Sequence, residues 1–304
     1  MSRSSASSPS RILPVISGLL IGLIGVAIAL TPHLLSGGLM PLQNMWIRET
    51  LPENMPFSLL PLNQYYLLRL VGVLAFAGTL AGCVSHFIFP VRRRSVALGA
   101  VLGVALGLVV ALAQSFWVLA QGLSIGISAS SIGVIYFWGL LTGMIVFSIL
   151  ALVATYVFAI GSPTPSAIWW ALVAAPLTSW VTSWATIGGP IAGDSTWLGY
   201  ISRFLPAIIV GLALAWYGVR PAARLLVWIL DLALLFFIPI TATAVQSAVG
   251  MRVLQGQVSE MLQYGIEVSR AQLTPNSPQL WVLGVALIIA IVGTVVRVRG
   301  SRRY

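Results

Sequence analysis

An acid at position 231, a ladder of hydroxyls at 178, 182 and 186, and a Gly-x-Ser-x-Gly string at 122–126 are the residues whose types and spacing could do chemistry. Asp231 is the single acid inside a long apolar run. An ionisable side chain in hydrocarbon is costly and by default marks a proton or ion path. The competing expectation is an ion pair: Arg224 lies seven residues earlier on the same helix face, and Arg220 is also near. Thr178, Thr182 and Thr186 recur every four residues, with Ser179 and Ser183 on the adjacent face and Trp180 and Trp184 as a further pair. One reading makes these the lining of a solute path with tryptophan as a gate, working against a hinge at Gly188-Gly189-Pro190. The other makes them interhelical glue, with hydroxyls bonded back to their own helix. Pro176, Pro206 and Pro239 loosen this helix and the two after it.

Gly122-Leu123-Ser124-Ile125-Gly126 matches a serine-nucleophile string, with His33 and Asp194 expected on the same side of the molecule. That motif needs a strand–turn–helix setting, whereas here it falls in a short turn between apolar helices. Walker A, H-E-x-x-H and paired-carboxylate patterns are absent from the sequence. Cys83 is the only cysteine, which excludes an internal disulfide or a multi-cysteine metal site. No catalytic, cofactor-binding or metal-ligating residue is expected.

The elements that must position these residues are apolar. The chain has 304 residues, 59% hydrophobic and 7% charged, against about 25% charged in soluble domains. A span needs about 20 apolar residues. Runs at Ile12–Leu30, Tyr65–Phe89, Val96–Ala120, Ile132–Ile160, Ala167–Ile187, Ile201–Tyr217, Leu225–Val249 and Leu280–Val296 give about eight spans, a number soft by its boundaries. The fold class expected is an all-α polytopic transmembrane bundle. The first run, with Ala27-Ile28-Ala29 near its end, competes with a signal peptide but exceeds the usual h-region of about 7–15 residues.

Every basic residue is arginine, and the net charge is +10. With an even number of spans, Arg3, Arg11, Arg92, Arg93, Arg94, Arg220, Arg224, Arg297, Arg299, Arg302 and Arg303 fall on one side. The positive-inside rule makes that side cytoplasmic, so both ends are expected inside, in a bacterial plasma membrane. Arginine at span ends argues against nucleic acid, which would leave a basic face or stripe. The expected organisation is a disordered tail at 1–11, one bundle at 12–296 and a basic tail at 297–304. Two outer segments interrupt the bundle. Residues 36–64, rich in proline, are too apolar for a free linker and suit the interface. Residues 250–279 include an amphipathic helix with Met251, Leu254, Val258, Met261 and Leu262 on one face.

Glycine spacing supplies the packing pattern. Gly99, Gly103 and Gly107 recur every four residues, and Gly18/Gly22, Gly78/Gly82 and Gly139/Gly143 repeat the pair. Such faces let helix backbones approach in lipid, within one chain or between chains. Gly37-Gly38 and Gly188-Gly189, together with Val91-Arg92 and Val219-Arg220, hint at a four-plus-four repeat. Beyond the lipid bilayer, a membrane-protein partner or a second copy is a candidate contact. Two functions fit: a permease-like bundle for a small solute or lipid, working between spans five and seven, or a non-catalytic membrane subunit that stabilises a partner in the cell envelope.

Overall fold

A computed structural model describes residues 12–187 and 196–300, apart from Asn44, Arg48, Glu49, Arg92 and Gln255. The tails, the Gly188-Gly189-Pro190 string and Asp194 lie outside the described residues. The described chain is all helix and loop, with a single isolated bridge pairing Leu39 and Phe57. The helices are α1 (Ile12–Leu35), α2 (Leu67–Ile88), α3 (Arg93–Gly122), α4 (Ser131–Ile160), α5 (Pro163–Ser183), α6 (Thr196–Tyr217), α7 (Arg224–Gly250), α8 (Val258–Gln272) and α9 (Pro278–Gly300).

Seven of the helices are long and apolar enough to cross a membrane: α1, α2 with the turn before it, α3, α4, α6, α7 and α9. The eighth expected span, α5, is a 21-residue helix that falls short of the others in hydropathy. The reason is its own sequence, with Pro163, Thr164, Pro165 and Ser166 in the first turn and the hydroxyl ladder at the other end. Its place in the fold makes up for this. It is flanked by protein, against α2 on one side and α6 and α7 on the other.

The helices form two groups joined through α5. In the first, α1 packs on α3, α2 on α4, and α1 on α2. In the second, α5 packs on α7, α6 on α9, and α5 on α6, so the same pairings recur in the same chain order. The first group is closed by glycine. A Cβ on Gly18 would collide with the Val96 carbonyl oxygen, one on Gly22 with that of Ala100, one on Gly99 with that of Val15 and one on Gly103 with that of Leu19. Backbone therefore touches backbone at these four glycines of the α1–α3 seam, where dispersion replaces the hydrophobic drive that lipid does not supply. Gly78 meets the Ala151 carbonyl of α4 in the same way. The second group is packed with alanine instead: Ala167, Ala171, Ala174, Ala207, Ala286 and Ala290 are all buried in its core.

Arginine collects at one end of the bundle. Arg93 donates to the last carbonyl of α4 at Ile160 (3.4 Å), and His86 meets Ala159 O at 3.3 Å. Arg224 donates to Tyr217 O and Arg297 to Trp216 O, both at the end of α6. Cations at helix C-termini satisfy carbonyls that the helix leaves open and complement its dipole.

At the opposite end, the segment between α1 and α2 is a folded plug. Gly37 and Gly38 adopt positive φ (105° and 63°) to end α1 and turn the chain. Met40, Met55, Leu60 and Leu62 are then buried against the first four helices. Backbone polarity is matched by side chains of α3 and α4. Leu60 N donates to Ser115 Oγ (2.9 Å), Leu59 N to Gln114 Oε1 (2.8 Å), and Tyr136 Oη to Gln43 Oε1 (2.8 Å). Gln43 in turn donates to Leu62 O at 2.6 Å. The segment thus fills the end of the bundle, while Leu39, Leu42, Leu51 and Phe57 remain exposed. Ser115→Ala should leave the buried Leu60 N–H without an acceptor and cost about 1–3 kcal/mol. Limited proteolysis in detergent should then cut within 36–64 faster than in the parent. Unchanged cleavage there would show that Ser115 does not hold the plug.

Candidate functional site

The hydroxyl ladder of α5 is satisfied within its own helix. Thr178 Oγ1 donates to Ala174 O (2.9 Å), Thr182 Oγ1 to Ser179 O (3.1 Å) and Ser183 Oγ to Trp180 O (2.6 Å). Thr178 and Ser183 are buried, while Ser179 is half-buried. Thr186 belongs to the short turn Trp184–Thr186 that extends α5, and its side chain lies outside the described residues. Helix geometry explains the back-bonding: a hydroxyl on Cβ reaches the carbonyl three or four residues earlier.

Trp180 is a structural bridge. Its ring stacks on Phe76 of α2 with centroids 3.5 Å apart and planes 10° from parallel. Its Nε1 donates to Ala29 O of α1 at 2.8 Å. Trp184 meets it edge-on at 5.6 Å and is itself exposed. Next to this junction, Pro32, His33, Pro61, Arg69, Val73 and Ser183 line a small pocket. His33 is held by Ser58 O at 2.9 Å, and Arg69 lies 5.2 Å from the Tyr66 ring centroid.

Asp231 lies on α7, which packs against α5. It is fully buried in α7, and both carboxylate oxygens are without a hydrogen-bond partner among the described residues. Trp228 and Leu235, one turn either side on the same face, sit in the apolar cluster with Ala171, Leu214 and Ala286. The expected ion pair with Arg224 does not form. Arg224 turns to the Tyr217 carbonyl, with its guanidinium 4.7 Å above the Tyr217 ring. Two near acceptors at the helix end outcompete a carboxylate that lies two turns deep. Tyr217 is fixed in turn by Thr164 at 2.7 Å.

The glycine faces divide into two kinds. Gly18, Gly22, Gly99 and Gly103 meet backbone, and Gly107 meets Val26. Around Gly139 and Gly143 of α4, nothing lies within 4 Å of a built Cβ. That open face is flanked by exposed Ile135, Trp138 and Val146. Ser124 sits in the helix–turn–helix between α3 and α4 with φ 48°, so the string around it has no strand before it.

One cleft was not legible in the sequence. Tyr65, Thr243, Gln246, Ser247, Gly250, Met251 and Tyr264 line about 480 Å³ between the end of α7, the turn before α2, and α8. Among the described residues, no group of three or more His, Cys, Asp or Glu side chains could hold a metal ion.

The fold and these sites define a class, the polytopic membrane helix bundle. No family model, no curated protein and no solved structure matches the chain.

Proposed function

We propose that this chain is a non-catalytic membrane subunit that binds and stabilises a partner membrane protein through α4. The observation that carries this reading is the open Gly139/Gly143 face. On α1 and α2, glycines four residues apart are pressed against the backbone of another helix, as Gly18 and Gly22 are against α3. The α4 pair has the same spacing and nothing within 4 Å of a built Cβ, with Trp138 and Ile135 beside it as exposed anchors. Small residues at this spacing favour a transmembrane helix as occupant. The back-bonded hydroxyls of α5 agree with a dry, load-sharing core better than with a wetted path.

The permease reading keeps one supporting observation, the unpartnered carboxyl of Asp231 among spans. Co-purification separates the two. Tagged protein drawn from native membranes in mild detergent should bring down a membrane protein at fixed stoichiometry. The double variant Gly139→Ile, Gly143→Ile should lose about tenfold of it, while its own yield and elution volume stay constant. A chain that elutes alone from every mild extraction would remove the subunit reading.

A further inference from the structure

We infer that the cleft between the end of α7, the turn before α2, and α8 is a binding site for a neutral polyhydroxylated ligand, a sugar ring. The inference does not rest on the subunit reading. The cleft is built by three elements far apart in sequence: the last two turns of α7, the one-turn helix Gln64–Tyr66, and α8. Gln246 Nε2 donates to Tyr65 O at 2.7 Å, which ties α7 to the start of α2 and leaves Oε1 as an acceptor. Gly250 allows the approach of the Tyr65 ring, because a Cβ there would stand 3.2 Å from Tyr65 Cε1.

Helix α8 supplies the remaining wall. It has no buried residue and rests on α7 at Gly265, where a Cβ would lie 3.5 Å from Ala248 Cβ and 3.6 Å from Ala244 O. Val258, Leu262 and Ile266 recur every four residues and are all exposed. By helical spacing this stripe and Tyr264 fall on opposite flanks of the face that meets α7. An apolar stripe of this kind seats a helix in a membrane surface. Seated so, α8 turns Tyr264 away from lipid and toward the cleft.

The lining decides the ligand class. Among the described residues it contains two phenol rings, the hydroxyls of Thr243 and Ser247, one carboxamide and one thioether, with no Asp, Glu, Lys, Arg or His. An ionic ligand would leave its charge uncompensated there. A purely apolar ligand would strip water from the amide and hydroxyls with nothing in return. Thr243 Oγ1 is engaged by Pro239 O at 2.8 Å. The hydroxyls of Ser247 and Tyr264 have no intrachain partner among the described residues. A pyranose offers what remains: C–H faces to rest on aromatic rings and a rim of hydroxyls to pair with the amide and hydroxyl groups. The volume lies within the range of about 300–1,000 Å³ usual for small-molecule sites.

A free sugar and the headgroup of a glycolipid present this same chemistry. The full chain in phosphatidylcholine nanodiscs distinguishes them, without sugar-based detergents. Calorimetric titration should use the methyl glycosides of glucose, galactose and mannose. A second set of nanodiscs should carry monoglucosyl diacylglycerol, with retained glycolipid read by native mass spectrometry. Saturable binding of a methyl glycoside assigns a free-sugar site, and retention of the glycolipid alone assigns a headgroup site. In either case Tyr264→Ala and Ser247→Ala, each at a partly exposed position, should weaken binding about tenfold or more. The inference is overturned if neither probe binds at concentrations up to about 20 mM. Equal binding by both variants, or preference for glucose 6-phosphate over the neutral sugars, would overturn it as well.

Discussion

Gly103→Leu should lower the stability of the bundle by roughly 3 kcal/mol or more, the largest loss expected from any single substitution here. The reason lies in what the missing side chain would meet. A Cβ on Gly103 collides with the carbonyl oxygen of Leu19 and stands 3.0 Å from the Cα of Gly22. Both obstacles are backbone in the middle of α1, so no rotamer change relieves them. The helices must separate, and separation breaks the reciprocal contacts of Gly18, Gly22 and Gly99 together. In water such a gap would be opposed by apolar burial, but in lipid the acyl chains fill it and the contacts are simply lost. Membrane and soluble folds alike stand only about 5–15 kcal/mol above their unfolded states, so this is a large share. Unfolding by dodecyl sulfate in mixed micelles, followed by circular dichroism, measures it. Gly139→Leu is the matched control, with nothing within 4 Å of its Cβ, and should stay within about 0.5 kcal/mol of the parent. Equal shifts in the two variants would show that the α1–α3 seam is no tighter than the open face of α4.

The contrast between these two glycines marks what the sequence could and could not tell. Four-residue spacing is visible in both, because it depends on the helix alone. Whether another helix answers it depends on a partner elsewhere in the chain. Span positions were legible for the same local reason, since hydropathy is a property of a window. The plug at 36–64 was not. Its fastening to Gln114, Ser115 and Tyr136 depends on single side chains of α3 and α4 reaching backbone or amide groups more than fifty residues away. The polar surroundings of α5 were half legible. Its threonine register was plain, but back-bonding and pore lining place the same hydroxyls at the same spacing. The choice between them rests on what packs around the helix. The cleft lined by Tyr65, Gln246 and Tyr264 needs three elements brought together, and no periodicity announces it.

Asp231→Val should raise stability by about 1–3 kcal/mol, against the usual direction of core substitutions. The sign follows from the observed surroundings. Both carboxylate oxygens are buried and unpartnered, and the flanking residues of the same face pack into an alanine-rich apolar cluster. Arg224, the cation best placed in sequence, is committed to the Tyr217 carbonyl and ring. A group in that position loses its hydration on folding and gains nothing in exchange. Valine removes the penalty and keeps a side chain of similar reach. The same dodecyl sulfate titration reads the change. A loss of more than about 1 kcal/mol would mean that the carboxyl has a partner in the membrane that the isolated chain lacks, a bound cation or a group from another subunit. Either result bears on function. A carboxyl buried without a partner among the described residues is a candidate for pairing with a group outside this fold. Asp231 is then the position at which the subunit and permease readings diverge: a partner's polar group would restore the parent's stability on assembly, whereas a carried ion would restore it in the isolated chain.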